Sequence, residues 1–555
     1  MRKRRLTGKV AVTMMAAALV LSGCSGGGAG KKDASDGIVT VAAAGPVYPE
    51  NFNWYGANEA GTAPGLALVY ESPFILDPTD PGKLVPRLAE SFEMEDDGNT
   101  MVFHLREGVM WSDGVEMTAD DFVYTYGFVN GDACDDPDKC WASKPPEATD
   151  KYTAKIYFHS PEFQQIANYS MYYPIYPAHI WEERDRKTDI NEEPVGTGPF
   201  TLKNFQPQQM VYEIRDDYWG GKGNGVKEVR FIPMGPIGGV QAQLGRGELD
   251  FVEAAAPGVM QDFVQKDEEN NHFSVYPGGG SQIITFNTTI APFDDAAVRR
   301  ALRDSLDLQA GADLAGVGFT VPSVVGLDTV VYKNTLLPEF AEPLVADVDG
   351  AKKELEDAGY TIDAEGNLEK DGKTYPLELR IDNGNAIWMQ LGQVFADQWK
   401  KNLGLTVGWM PTPTQVFNKE STLGNYAMFA SGGISNGNYY QAYAQFSKSN
   451  LKEIGDDVIY GNYGRWANET MFTDTKALSS IKVDDLDSVT PLAQEMQKAI
   501  AEEAPFIPAM TNTTPILWSS RKWTGFPEPG TAKYIPSATN LNNAIDTFMM
   551  LEPAS

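Results

Sequence analysis

Residues 103–128 read FHLREGVMWSDGVEMTADDFVYTYGF and gather His104, Asp113, Glu116, Asp120 and Asp121 into one short stretch. A histidine among carboxylates is raw material for general acid–base chemistry, because such groups exchange protons near neutral pH once their surroundings tune them. Other chemical signatures are missing from the chain. It has no G-x-S-x-G nucleophile elbow, no phosphate-binding P-loop and no dinucleotide-binding glycine fingerprint followed by a suitable acid. Its four histidines, His104, His159, His179 and His272, show no pair spaced to hold a metal from one helix face. Carboxylates are so abundant that counting does not separate a glycosidase-type pair from an acidic surface that keeps the protein in solution. No catalytic residue, metal site or cofactor is assigned. A non-enzyme is expected, with an exported hydrolase as the alternative of another class.

The local pattern gives the same residues structural work. VFHLREG alternates with a period of two and ends at glycine, as a strand does. WSDG is a turn. Thr118 to Asp121 approximates a capping box, with Thr118 at the N-cap and Asp121 where Glu or Gln is usual. The helix DDFVYTYGFV then has its apolar face on Phe122, Val123, Tyr126 and Val129. Strand-like and helix-like segments alternate from Asp36 onward, which marks a mixed α/β protein. IVTVAAAG is a first strand, and DDAAVRRALRDSLD is a helix whose leading acids suit the helix dipole. DVDGAKKELEDAGY is a helix stopped at Gly359. YPLELRI, AIWMQLGQVFADQWKKNLG and LTVGWM form a strand–helix–strand unit in which Gly404 ends the helix.

Length and charge bound what these elements can build. The 555 residues exceed one small core and predict two or three lobes. A formal net charge of −31 argues against nucleic acid or an anionic membrane as partner. An aromatic content of 11% excludes a disordered chain. MRKRRLTGK and VAVTMMAAALVLSG are a basic segment and an apolar run too short to span a membrane comfortably. They lead to Leu21-Ser22-Gly23-Cys24, which is similar to a bacterial lipoprotein signal. Residues 1–23 are then a leader, and Cys24 becomes the lipidated N-terminus. An ordinary secretory signal with an incidental cysteine is the competing reading. Residues 24–37 form a Gly/Ser-rich tether, and two or more acyl chains on Cys24 hold a protein at a membrane far better than one. Cys134 and Cys140, in CDDPDKC, remain as an even pair. In an oxidising exterior they predict a disulfide that pins a polar loop. A metal site is the rival there, weakened because no EF-hand spacing is present.

The stretch LVPRLAESFEMEDDGNTMVFHLREGVMWSDGVEMTADDFVYTYGF resembles the signature region of the family 5 extracytoplasmic solute-binding proteins, the oligopeptide, dipeptide, nickel and oligosaccharide receptors of ABC importers. The matching blocks are Leu88 to Phe92, Phe103 to Trp111, Asp113-Gly114 and Thr118 to Asp121. MYYPIYPAHIWEE, Gly196 to Phe200, Asp217 to Gly221, LGRGELDFV, ITFNTTIAPFDDAAVRRAL and APFIPAM continue the likeness in order. The resemblance implies a periplasmic-binding-protein-like two-lobed clam (type II) with an inserted third domain. Lobe I would take residues 38–70, 197–286 and 513–555, inserted domain II residues 71–196, and lobe III residues 287–512. The chain would cross between lobes near FNTTIAPF and near AMTNTTP, and two crossing strands make a hinge. Ligand contacts that exist only when the lobes close shift the population to the closed form, which the permease would recognise.

The resemblance also frames the ligand. Peptide receptors of this family carry a segment of the form W-x-x-D-Y-x-D-P, in which an aspartate pairs with the peptide α-amino group, since a buried ammonium without a partner is costly. The corresponding stretch here, YAMFASGGISNGNYYQAYAQF (426–446), contains no acid. Gly432, Gly433, Ile434, Ser435 and Asn436 stand in its place, and glycine lets backbone approach a ligand closely. Either another acid serves the amine or the ligand has no free amine there. Tyr439 follows, Trp466 lies in NYGRW, Asn53, Trp54 and Tyr55 lie in NFNWYG, and Trp388 lies in NAIWMQ. Aromatic faces beside amides suit sugar rings, and Gly525-Phe526-Pro527 is similar to a late segment of oligosaccharide receptors. These residues are the candidate ligand contacts, with plain core burial the competing role for each aromatic. The expectation is a monomeric, lipid-anchored, extracytoplasmic receptor that delivers an oligopeptide to an ABC importer permease. An oligosaccharide is the alternative ligand, and a signalling role is not separated from import.

Overall fold

A computed structural model describes residues 36–554 apart from 44, 46, 57–62, 78–82, 132–141, 255–257, 317, 334, 436, 459–460 and 530–532. Cys24, Cys134, Cys140 and Asn436 lie outside the described residues.

The α/β alternation becomes a ten-stranded mixed sheet organised around two long strands, Asn271–Phe286 and Phe506–Ser519. These pair antiparallel with each other along most of their length. On one side follow Phe251–Glu253, Ile38–Ala43, Glu228–Pro233, Gln209–Ile214 and Phe200–Gln206. On the other follow Met428–Ile434, Leu377–Asp382 and Val407–Thr412. Each side has its own apolar core, one built around Val39, Tyr70, Phe231 and Trp523, the other around Leu302, Leu379, Trp399 and Ile507. The two long strands are thus the backbone connection between two halves.

The pairing is interrupted where the halves meet. Asn271–Pro277 faces Thr513–Ser519, Ser281–Thr285 faces Phe506–Thr511, and the register shifts between Pro277 and Ser281. The sequence expectation put this first crossing near FNTTIAPF. That segment already packs on the far half, where the Asn287 backbone N–H donates to the Ala427 carbonyl at 3.0 Å. The break sits earlier because Pro277-Gly278-Gly279-Gly280 cannot hold a regular ladder: proline lacks a donor and glycine supplies the unusual dihedrals. Gly280 has φ of 126°.

Local signals position the far half as expected. Asn385 caps the helix Ala386–Leu403, its side chain accepting from the Trp388 N–H at 3.1 Å, and Gly404 ends it at φ 83°. The helix joins the parallel strands Leu377–Asp382 and Val407–Thr412 and lays Leu391, Phe395 and Trp399 on the sheet.

A second, four-stranded antiparallel sheet (Ala89–Glu95, Thr100–Leu105, Thr153–Phe158, Ala142–Asp150) carries the helix Ala119–Gly131. The five residues that looked chemical are distributed over this scaffold. Asp121 accepts from the Thr118 N–H at 2.8 Å and from the Ala178 N–H at 2.8 Å, while Thr118 Oγ1 accepts from the Asp120 N–H at 3.3 Å. Burial pushes the Asp121 carboxyl pKa up against those backbone hydrogen bonds. Asp113 shapes the turn by accepting from the Val115 N–H and meets His179, Glu116 bonds Lys151 and Tyr152, and His104 lies 3.7 Å from Glu93 on neighbouring strands. The buried helix face is Phe122, Thr125, Tyr126 and Phe128, with Val123 and Val129 only partly buried. It differs from the expected stripe because the helix is packed on two sides: Phe103 stacks on Tyr126, while Phe128 meets Tyr55 and Tyr176 across the helix.

Candidate functional site

A cavity of about 240 Å³ lies at the break in the long strands. Glu253, Pro277, Gly278, Thr514, Ser537, Asn540 and Asn543 line it from the first half. Asp77, Met171 and Tyr172 close a second wall, and Val331, Ser435, Gly437 and Gln441 form the third, from the far half. A cavity of about 410 Å³ adjoins it, shares Glu253, and is lined by Trp54, Gly65, Met234, Ala538 and Thr539. This second space sits at the carboxyl ends of the parallel strands Ile38–Ala43 and Phe251–Glu253, the position where open α/β sheets present backbone and loops to ligands.

The walls meet again at a rim away from the crossing strands. The Phe163 N–H donates to the Ser479 carbonyl at 3.1 Å, and Gln164 Nε2 donates to the Ile481 carbonyl at 2.7 Å. Asn438 Nδ2 donates to the Gln164 carbonyl at 2.7 Å, and Gln441 Nε2 donates to Asn168 Oδ1 at 2.9 Å. The cavity is therefore bounded by the hinge strands on one side and by a hydrogen-bonded seam on the other.

Beside that seam lies a partly buried acid. Glu162, beside Phe163, accepts from Gln165 Nε2 at 2.8 Å, with Tyr169 and Tyr440 nearby. Burial raises its carboxyl pKa to about 7 from an ordinary 4.5. An acid whose folded pKa is raised contributes stability that is complete below the unfolded value and is lost as pH rises through the folded value. Glu162→Gln is therefore expected to raise Tm by about 2 °C at pH 8, where the wild-type group is ionised, and to leave it unchanged at pH 4.5. Thermal melts of both proteins across that range check this, and a Tm gain equal at both pH values would contradict it.

Among residues lining the two cavities the charged ones are Asp77 and Glu253, with no Lys, Arg or His. Asp77 is paired with Lys83 at 3.2 Å. Glu253 receives a hydrogen bond from Ser537 Oγ at 2.8 Å. Its side chain is exposed at the cavity wall, and the desolvation it does meet there pushes its pKa up. The hydroxyl–carboxylate pair Ser537–Glu253 faces the space, and no Cys, His or Lys lines either cavity. Among the described residues no group of three His, Cys, Asp or Glu is placed to hold a metal ion. The lining offers hydrogen-bonding groups, apolar contact and Glu253, an acid that enters no ion pair among the described residues.

The structure brings two of the sequence-predicted contacts to this space, Trp54 in the larger cavity and Ser435 in the smaller. Gly432, Gly433 and Ile434 belong to the strand Met428–Ile434, which pairs with Asn271–Phe286. A Cβ on Gly433 would come within 2.5 Å of the Ile283 side chain, so the glycine serves strand packing, and Ile434 is core. Asn53 is fully buried among hydrogen-bond partners of its own chain, and the Tyr55 hydroxyl donates to the Pro174 carbonyl at 2.8 Å. Trp388 is buried and borders a separate cavity with Phe417, Tyr463 and Asn512. Tyr439 and Trp466 are core, the Trp466 indole N–H donating to Glu503 at 2.5 Å. Burial explains the four aromatic ones, because an indole or phenol ring loses most free energy when left in water.

Glu253, Ser537, Gln441 and the asparagines at 540, 542 and 543 were not singled out by sequence. A usable signal existed in two places. Glu253 directly follows the buried Phe251-Val252 pair at the end of ELDFVE, and NLNN concentrates amides in one loop.

The model of bacterial extracellular solute-binding proteins, family 5 Middle, matches residues 83–469. Protein XP55 of Streptomyces lividans is 28% identical over 330 residues, covering 58% of this chain and 58% of that protein, less than two thirds of its length. The oligopeptide-binding protein OppA of Bacillus subtilis is 23% identical over 425 residues, 72% of this chain and 76% of that protein. Among solved structures, an oligopeptide ABC transporter periplasmic oligopeptide-binding protein of Thermotoga maritima superposes with a TM-score of 0.81 at 23% identity, over 93% of this chain and 99% of that one. The same protein with mannohexaose bound gives 0.75 at 22% identity, with the same coverage. These structures share the two-lobed α/β fold described above.

Proposed function

Because the chain belongs to the bacterial extracellular solute-binding proteins of family 5, we propose that it is the substrate-binding lipoprotein of an ABC importer, holding an oligopeptide between its two halves for a membrane permease. The observation that carries this reading is the cavity bounded by both halves, by the crossing strands and by the seam at its rim. A ligand there touches surfaces that separate on opening, so its binding energy favours closure, and a permease can distinguish loaded from empty receptor. The division into lobe I, inserted domain II and lobe III fits the two core systems and the separate four-stranded sheet. Anchoring through Cys24 rests on the leader and the residues before that cysteine. Among the described residues no helix is long and apolar enough to cross a membrane.

A second reading is an oligosaccharide ligand. It is favoured by the amide and hydroxyl groups of Gln441, Ser435, Asn540, Asn542 and Asn543 in the cavity wall, which suit sugar hydroxyls, and by the Thermotoga maritima relative solved with mannohexaose.

Thermal melts with di- to hexapeptides and with manno- and cello-oligosaccharides separate the readings. A ligand bound only by the folded protein at a hundred times its Kd stabilises by about 2.7 kcal/mol. A Tm rise of several degrees is expected with peptides, and a rise confined to oligosaccharides would transfer the assignment to sugars. Appearance of cleavage products would instead make the protein a hydrolase.

A further inference from the structure

Outside the space between the halves, a groove of about 570 Å³ runs along the hydrogen-bonded seam. It is larger than the cavities at the strand break, which hold about 240 and 410 Å³. Leu84, Phe92, Met94, Phe163 and Ile166 form one side, four of them belonging to the core of the four-stranded sheet. Val483 and Leu486 form the other side, just beyond the seam residue Ile481. Leu486 is 54% exposed, and Leu84, Phe92, Met94 and Phe163 are only half-buried. The groove therefore shows water an apolar floor, and covering such a floor is favourable. Its size and lining are those of a small-molecule site.

Each side also brings a lysine, Lys83 and Lys482, against one acid, Asp484. That reverses the balance of the whole chain, 45 basic to 76 acidic residues, and neither cavity at the strand break has a lysine. Among the described residues Lys482 enters no ion pair, while Lys83, paired with Asp77 at 3.2 Å, keeps 58% of its side chain exposed. Two links run from the groove to the smaller cavity. Lys83 lines the groove, and its partner Asp77 lines the cavity. Asn438 lines the groove and Gln441 the cavity, and the two brace one helix start. Asn438 Oδ1 accepts from the Gln441 N–H at 2.8 Å, and Gln441 Oε1 accepts from the Asn438 N–H at 3.0 Å.

We propose that this groove is a second binding site, for a single alkyl chain with an anionic head, and that its occupant clamps the two sides of the seam together. The chain lies along Phe92, Met94 and Leu486, and the head sits between Lys83 and Lys482. Such a ligand touches both sides only while the seam is shut, so its binding draws the population to the closed form. By linkage it raises the affinity of the ligand between the halves by the same factor by which that ligand raises its own. The groove has this role whether the ligand between the halves is a peptide or a sugar.

Calorimetric titration tests this on the full chain carrying Cys24→Ser, which accepts no acyl chain and needs no detergent, with decanoate, decanol and decyltrimethylammonium as probes. Decanoate is expected to bind about fivefold more tightly than decanol, and decyltrimethylammonium more weakly than either. Lys482→Glu, a change at an exposed side chain, is expected to lose about fivefold for decanoate and nothing for decanol. Leu486→Asp sets an acid at the first position of the helix Leu486–Glu503, where the helix dipole favours it. It is expected to lose about tenfold for both decanoate and decanol at an unchanged melting temperature. Small-angle X-ray scattering is expected to show a smaller radius of gyration when decanoate is added to the protein alone. Decanoate bound equally well by the parent chain and Leu486→Asp would overturn the groove as its site. Decyltrimethylammonium bound as tightly as decanoate would overturn the anionic head. Binding at an unchanged radius of gyration would overturn the clamp and keep the site. Displacement of decanoate by trialanine or mannohexaose would assign it to the space between the halves and overturn the second site.

Discussion

Gly280→Ala is expected to lower stability by about 3 kcal/mol or more and to weaken ligand binding at the same time. Gly280 has φ of 126°, a conformation alanine adopts only with strain. A Cβ there would also overlap the Ile434 carbonyl oxygen and lie 3.0 Å from the Ser435 Cα. Neither neighbour can turn away, because both are backbone, one at the end of the adjacent strand Met428–Ile434 and one directly after it. Relief requires the long strand Asn271–Phe286 to move against Met428–Ile434, at the point where its pairing already shifts register. That movement displaces Ser435, which lines the cavity, so stability and affinity fall together. Gly372→Ala is the control: Gly372 also has positive φ, at 72°, but nothing lies within 4 Å of the added Cβ. It is expected to cost about 1 kcal/mol and leave binding intact. Melting curves and titrations of the two variants check the contrast. A Gly280→Ala protein that melts with the wild type would show that the crossing strands tolerate displacement and do not fix the site.

What the sequence made legible was local. Caps such as Asn385 and stops such as Gly404 act through a few neighbouring backbone groups, so their types and spacing suffice to place a helix. The same holds for Thr118 and Asp121, whose side chains bond within the first turn. The crossing was less legible because PGGG reads as a turn, and only its partner strand, more than two hundred residues later, turns it into an interrupted ladder. Aromatic residues misled for a related reason. A tryptophan has the same neighbours in sequence whether it meets a sugar or a core, and Trp388 and Trp466 pack in the core. Glu253 was hidden by abundance. In a chain with 76 acidic residues, an acid becomes distinctive only when the fold sets it in the wall of a cavity, and that is a tertiary fact.

Asn53→Ala is expected to destabilise the protein by about 3 kcal/mol or more while changing the affinity of the remaining folded protein far less. The side chain is wholly buried and its hydrogen-bonding capacity is used within the protein. Nδ2 donates to the Arg186 and Asp189 carbonyls, each at 2.8 Å, and Oδ1 accepts from the Tyr55 N–H at 3.0 Å and the Tyr176 hydroxyl at 3.1 Å. Alanine would leave two carbonyls, an amide and a phenol short of partners in a space that excludes water, and each orphaned group costs about 1 kcal/mol or more. Aspartate would not repair the loss, because it offers no donor to the two carbonyls and adds a charge to a buried site. The consequence for function is indirect. The Tyr176 hydroxyl also accepts from the Trp54 N–H at 2.7 Å, and Trp54 is the residue of this loop that reaches the cavity. Asn53 therefore positions the loop that presents Trp54 and has no free valence with which to meet a ligand. A thermal melt and a peptide titration of Asn53→Ala separate the two roles: a contact residue would lose affinity at constant Tm, whereas the buried network predicts a fall of several degrees in Tm with binding largely retained below it.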